Sequence, residues 1–308
     1  MFKFKYLIFL LVTHCLYVSI TCSGNTDNRD NREMSDLKYY LNSISLAEQF
    51  KQTGYLEICD NNHGTVTFDA LYLYFDELIN FLQKNPAWAQ KLYSAKERFI
   101  RSKDRNYYST DFFCFYDESK REERSQISFY YSTHFHEFMC AHYPEFNKVP
   151  EIIKFLNACL EIQKPYGNLF KQAAAELGLA TIFSSSPSIL FKVIKYLPTY
   201  RATKPHYDGT ALSLFLDSTD NQSLLLSSYK SLLTIDDFSS PVRKFSRSNN
   251  QNSIVLIPGT LLTEFSIYPT PHIVTQNGKT RYATIAFALR PNYSSQKNEF
   301  SSLPNFKY

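Results

Sequence analysis

Glycine is scarce in this chain, 8 residues of 308, and no segment recurs at a fixed period, so a repeat protein or a low-complexity chain is not expected. There is no Cys-x-x-Cys and no His-Glu-x-x-His helix. The second absence removes the zinc-protease arrangement of two histidines flanking a general base on one helix face. Basic residues do not cluster, and nucleic acid is therefore not an expected partner. What is abundant is aromatic: 26 Phe and 23 Tyr suit a packed globular core, and 308 residues are enough to bury one.

No apolar run reaches the roughly 20 residues that a membrane-spanning helix needs. The start, Met1-Phe2-Lys3-Phe4-Lys5, leads into fifteen mostly apolar residues from Tyr6 to Ile20 and then Thr21-Cys22-Ser23-Gly24. A charged start, a short apolar stretch and small residues after it form a secretory signal pattern. Residues 1–24 are thus expected to be a signal peptide, and the protein to be secreted or periplasmic with no stable membrane span once it is removed. The net charge of +4 includes Lys3 and Lys5 of that leader. Of the 6 cysteines, Cys15 and Cys22 fall within it. Cys59, Cys114, Cys140 and Cys159 remain, able to pair in three ways or to stay as free thiols.

Residues 25–36 are polar and Asn-rich, a disordered lead-in. Helical signals dominate 37–180. Leu71, Tyr74, Phe75, Leu78, Ile79 and Leu82 recur at helical spacing and stop at Asn85-Pro86, predicting one amphipathic helix. A second helical stretch starts near Pro150 and ends at Gly178, with Pro165 expected to kink or split it. From 181 to 295 short β segments alternate with turn residues, Ser246–Asn252 reads as an exposed loop, and 296–308 is a tail.

The chemistry concentrates in His206-Tyr207-Asp208 and, 64 positions beyond Asp208, His272. His-x-Asp puts both side chains on one face of an extended strand. The third residue must come back through the fold, as it does when a jelly roll builds a site. Two imidazoles and one carboxylate on one side of an ion leave the opposite positions open, which suits non-heme Fe(II); zinc accepts the same ligands. A competing set, His134, His136 and His142 near Glu137, shares a face only if it lies on a strand, because residues two apart on a helix diverge.

The text around the motif carries a resemblance. Ile189–Pro198 is a β-branched and aromatic run ending at a proline, followed by Lys204-Pro205-His206-Tyr207-Asp208-Gly209-Thr210 and the apolar Ala211–Leu216. Ser253–Thr260 supplies a strand and Gly turn, Pro271-His272-Ile273-Val274 a distal His-x-Val, and Arg281-Tyr282 falls nine residues after His272. This pattern resembles the isopenicillin N synthase-like family of Fe(II)/2-oxoglutarate-dependent oxygenases. Upstream, Ile44–Leu56 looks like the family's N-terminal helix leading into a Gly-aromatic strand, and Ala175–Leu179 like the end of its long central helix.

The resemblance implies an α+β protein with a double-stranded β-helix (jelly-roll) core in the C-terminal half and a helical N-terminal half. It implies oxidation of a small organic substrate with Fe(II), 2-oxoglutarate and O₂, the metal on His206, Asp208 and His272. Arg281 would grip the far carboxylate of 2-oxoglutarate through its rigid fork, and Tyr196 would touch the same cosubstrate. One position departs from the pattern: the hydroxyl residue expected two places after the arginine is Ala283. Thr284 is the neighbour, able to reach that side only through a β-bulge. Two alternatives follow, a 2-oxoglutarate-independent iron oxidase in which Arg281 grips the substrate, or a secreted metal-binding or non-catalytic interaction protein on the same scaffold.

Overall fold

A computed structural model describes residues 41, 44–60, 66–102, 126–180, 188–198, 205–219, 224–227, 252–275 and 278–289. The leader, the lead-in, the tail, Cys114 and residues 246–251 of the loop lie outside the described residues. Helix α1 (Leu46–Thr53) opens on Ser45, whose hydroxyl accepts the Glu48 amide, and closes at Gly54, φ 80°. It runs into β1 (Leu56–Asp60). Helix α2 (Phe68–Lys84) buries Leu71, Tyr72, Phe75, Leu78, Ile79 and Leu82, the expected stripe except that Tyr72 replaces the half-exposed Tyr74. Asn85 ends it, and Pro86 starts α3 (Pro86–Ser102).

Strand β2 (Gln126–Tyr131) precedes α4 (Thr133–His142). Pro150 begins α5 (Pro150–Gln163), and Pro165 separates it from α6 (Tyr166–Glu176). Proline lacks the N–H and clashes with the preceding turn, so the split at Pro165 is the one its chemistry predicts. Gly178 then adopts φ 71°, the left-handed cap conformation that costs glycine least.

The remaining strands are β3 (Ser188–Tyr196), β4 (Leu212–Ser218), β5 (Leu224–Leu226), β6 (Asn252–Pro258), β7 (His272–Val274) and β8 (Arg281–Leu289). Among the described residues, six of the eight strands form one sheet in the order β1-β6-β4-β8-β3-β2, and β5 pairs with β7 in a second. Every ladder among the described residues is antiparallel. The protein is thus a mixture of helix and antiparallel sheet, but the large sheet draws on both ends of the chain. Its outer strand β1 follows the helix-and-Gly-aromatic step expected at Ile44–Leu56, whereas β2 lies within the stretch expected to be helical. The run Ile127-Ser128-Phe129-Tyr130-Tyr131 has the β-branched and aromatic composition of a strand and is buried.

Alternation assigns the faces of the large sheet. Phe129 packs edge-on against Phe155 of α5, 5.0 Å between centroids, and Phe155 stacks on Phe75 of α2, so this face carries the helices. Lys195 reaches Asp76 of α2 at 2.8 Å. The Tyr282 hydroxyl donates to the same carboxylate at 2.5 Å, and its pKa is raised by burial and then by that carboxylate. The other face is an inner one, with Phe215 of β4 packed edge-on against His272 of β7, 5.5 Å between centroids.

Lys96 of α3 is fully buried beneath Phe129 and Phe135, 4.2 and 4.7 Å from the ring centroids, and donates to the Tyr130 carbonyl. Desolvation holds its pKa well below the ordinary lysine value. Cys159 is buried and free, and Cys140 is exposed and free. Among the described residues no helix is long and apolar enough to cross a membrane.

Candidate metal centre

His206 and His272 meet through the backbone. The two residues form an antiparallel bridge, each amide donating to the other's carbonyl at 3.0 Å. A directly opposed pair brings its side chains to the same side, so this bridge closes the 64-residue gap from Asp208. The rings lie 4.2 Å apart. Asp208 follows on the same side as His206, its Oδ1 3.6 Å from His272 Nε2. Two donors about 2.1 Å from one ion can stand up to roughly 4.2 Å apart, so this pair can share one. One ligand atom from each of the three residues lies within 4.8 Å of the others.

The donor set fits a divalent metal on two further counts. Asp208 Oδ2 is buried with no hydrogen-bond partner among the described residues. An orphaned carboxylate oxygen in such a place costs free energy unless a cation receives it. His272 is 2% exposed, and its Nδ1 lies 3.2 Å from the Thr270 carbonyl. A carbonyl can only accept, so Nδ1 carries the proton and Nε2 keeps its lone pair for the site, the usual orientation of a ligating histidine.

The segment from Asp208 to Ala211 is held from outside. Gly259 N–H donates to the Ala211 carbonyl at 2.9 Å, Thr260 N–H to Asp208 at 2.9 Å and Leu261 N–H to Thr210 at 3.1 Å. Gly259 is required by proximity: a Cβ there would stand 2.1 Å from the Thr210 carbonyl oxygen. Thr270, besides orienting His272, donates its hydroxyl to the Gly54 carbonyl, tying this segment to the turn between α1 and β1. Neither tie has a signal in the sequence, since both run to backbone atoms.

Arg281 is buried on the inner face, 2% exposed. Its guanidinium carbon lies 4.4 Å from the centroid of the Tyr196 ring, directly opposite in the β3–β8 ladder, and Nη2 donates to the Thr275 carbonyl at 2.5 Å. Tyr196 thus lies under the guanidinium as a cation–π platform. Thr284 is a correction. Strand β8 keeps unbroken register against β3 from Arg281 to Leu289, so no bulge turns Thr284 toward Arg281. The irregularity is in β4, between Phe215 and Asp217. Thr284 instead faces α2 and donates to the Tyr72 hydroxyl at 3.1 Å, while Tyr72 donates to Asp217 at 2.8 Å. Thr284 therefore belongs to the clamp between α2 and the sheet and not with Arg281.

The competing histidines do not converge, because they lie on α4. His136 Nδ1 is 3.0 Å from the Tyr131 hydroxyl, and burial lowers its pKa. His134 reaches out to Glu137 at 3.7 Å, and the His142 ring sits by Phe138, 4.5 Å between centroids.

No family model matches the chain, and no curated protein matches it. Among solved structures, the dioxygenase for auxin oxidation 1 from Arabidopsis thaliana, a 2-oxoglutarate complex, is 16% identical with a TM-score of 0.48, over 80% of this chain and 86% of that one. The rice dioxygenase for auxin oxidation is 14% identical with a TM-score of 0.47, over 80% and 77%. JOX2, in complex with 2OG, Fe and JA, is 14% identical with a TM-score of 0.46, over 80% and 70%.

Proposed function

We propose that this protein is an Fe(II)- and 2-oxoglutarate-dependent oxygenase, hydroxylating or otherwise oxidising a small organic substrate on a double-stranded β-helix (jelly-roll) scaffold. One observation carries the reading: two imidazoles and one carboxylate gathered within 4.8 Å, with Asp208 Oδ2 buried and lacking a hydrogen-bond partner among the described residues. A facial set of this composition is the ligand arrangement of non-heme iron oxygenases. When bound, the iron would supply activation of O₂, with 2-oxoglutarate as the two-electron reductant leaving as succinate and CO₂.

The chain's own residues do the positioning. His206, Asp208 and His272 would hold the metal from one side. Thr270 fixes the ring of His272, and the Gly259–Leu261 amides fix the carbonyl side of the Asp208–Ala211 segment. Arg281 would present its guanidinium fork to a carboxylate, with Tyr196 keeping the fork in place from below. Because Arg281 is almost fully buried, the carboxylate it receives leaves water, and the pairing gains strength in the lower dielectric.

Anaerobic Fe(II) titration with and without 2-oxoglutarate tests this reading. Iron should bind, and a visible charge-transfer band should appear on adding 2-oxoglutarate and be absent in Asp208→Ala and His272→Ala. Failure of wild-type protein to bind Fe(II), or unchanged binding in both variants, ends the proposal. Ala283, together with Thr284 turned toward α2, favours a second reading in which Arg281 grips the substrate of a 2-oxoglutarate-independent oxidase. Iron binding without the 2-oxoglutarate band would select it. Secretory routing is also proposed, on the pattern of residues 1–24, and N-terminal sequencing of protein from its native host tests it. An intact Met1 in a cytosolic fraction would refute it.

A further inference from the structure

Two lysines of β3 stand three residues apart and so on opposite faces of the sheet. Lys195, on the helix side, is paired with Asp76 at 2.8 Å. Lys192, on the inner side, has no carboxylate partner among the described residues; its ammonium rests over the ring of Tyr130, 4.9 Å from the centroid. Lys192 is half-buried. A partly desolvated ammonium with only an aromatic face beside it is an anion site in waiting, because a ring offers far less than a counter-charge does.

Register locates it relative to the metal centre. Lys192 is opposite Ile285 of β8, and Ile285 is opposite Phe215 of β4, whose ring packs on His272. At strand spacings of about 4.8 Å, Lys192 stands roughly 10 Å from Phe215 across the inner face. The intervening surface is apolar: Ile285, Phe215, Ile194 and Phe287 are buried hydrophobics, and all four lie on this face by the ladder registers. Arg281 is four residues further along β8, about 13 Å by strand rise. The Lys192 ammonium leans toward Tyr130 on β2, the side of β3 away from β8, so the two cations do not converge on one anion.

We infer that Lys192 is the specificity determinant of this site, holding the carboxylate of an organic acid whose apolar body runs across Ile285 and Phe215 toward the metal. The inference rests on the oxygenase reading and adds the substrate class to it. It leaves Arg281 for 2-oxoglutarate and assigns Lys192 to the substrate. The aromatic partner is consistent with this role. Tyr130 restrains the lysine's four-carbon stem without neutralising its charge, so less side-chain freedom remains to be lost on binding.

The test uses full-length protein loaded with Mn(II), which replaces iron without turnover, and saturated with 2-oxoglutarate to occupy Arg281. Calorimetry then follows binding of phenylbutanoate, phenylpentanoate and phenylhexanoate, each beside its neutral amide. At least one acid should bind, more tightly than its amide. Lys192→Met should weaken that acid about tenfold or more, the scale of one charge-assisted hydrogen bond, while leaving the amide unchanged, and Lys192→Arg should keep most of the affinity. Mn(II) and 2-oxoglutarate should bind Lys192→Met as they bind the wild type, which shows that the variant is folded. The inference is overturned if no acid binds, if acids and amides bind alike, or if Lys192→Met binds the acid as tightly as wild type. Loss of Mn(II) or 2-oxoglutarate binding in wild type is a different failure, since it removes the oxygenase reading itself and this inference with it.

Discussion

Gly259→Ala should weaken Fe(II) binding at least tenfold and lower stability by about 1–3 kcal/mol, although one methyl group is the whole change. The backbone at Gly259 has φ −102° and ψ 179°, a conformation open to any residue, so conformational strain is not the mechanism. Contact is. The new Cβ would stand 2.1 Å from the Thr210 carbonyl oxygen and 2.7 Å from its carbon, and backbone atoms cannot swing aside as a side chain can. Either the Gly259 turn or the Asp208–Ala211 segment must move by about an ångström or more, and the three backbone hydrogen bonds between them are drawn into the shift. Asp208 is bonded across that contact through the Thr260 amide. The variant would therefore act on a bound metal through geometry while His206, Asp208 and His272 all remain. Fe(II) affinity and urea unfolding, measured on Gly259→Ala and on Phe75→Leu, separate the two effects. The core variant, remote from the site on α2, should lose stability and keep its metal affinity. Wild-type affinity in Gly259→Ala would show that the turn does not position Asp208.

What the sequence could and could not reveal follows from where the determinants reside. The gathering of His206, Asp208 and His272 was legible because ligand chemistry allows few residue types and because a period of two puts His206 and Asp208 on one side. The α2 stripe and the break at Pro165 were legible for the same reason: each is local. The strand β2 was not, although Ile127–Tyr131 is β-branched and aromatic. It is embedded among helical segments, and its partner β3 is 60 residues away between the opposed Tyr131 and Phe191. Alternation alone placed Thr284 correctly, facing away from Arg281. The bulge that could have turned it round lies instead in the neighbouring strand β4. The ties of Thr270 to His272 and of Gly259–Leu261 to the Asp208 segment run to backbone carbonyls and amides, which every residue has, so no side-chain pattern could announce them. Lys192 was visible only as one of two lysines in a strand; which one lacks a counter-ion depends on Asp76, more than 100 residues earlier in the chain.

Arg281→Ala should abolish measurable 2-oxoglutarate binding while Fe(II) still binds, and Ala283→Ser should tighten 2-oxoglutarate about tenfold or more. Both expectations come from one face of β8. Arg281, Ala283 and Ile285 share it by alternation, and the ladder to β3 is regular across all three. A serine at 283 would put a hydroxyl on the guanidinium's side of the strand, where Thr284 cannot reach, since its hydroxyl is donated to Tyr72 behind the sheet. One added hydrogen bond to a charged carboxylate contributes about 1.5–3 kcal/mol, which corresponds to roughly ten- to hundredfold in affinity. Removing the guanidinium costs more, because the carboxylate would then be taken from water into a buried position with no opposing charge. Tyr196 separates packing from recognition. Tyr196→Phe keeps the ring beneath the guanidinium, so a large loss of 2-oxoglutarate affinity there would assign the phenol a direct contact with the cosubstrate, and an unchanged value would confine it to supporting Arg281. If Arg281→Ala and Ala283→Ser both leave 2-oxoglutarate affinity untouched, this pocket does not hold 2-oxoglutarate, and the arginine is free for the substrate of an oxidase.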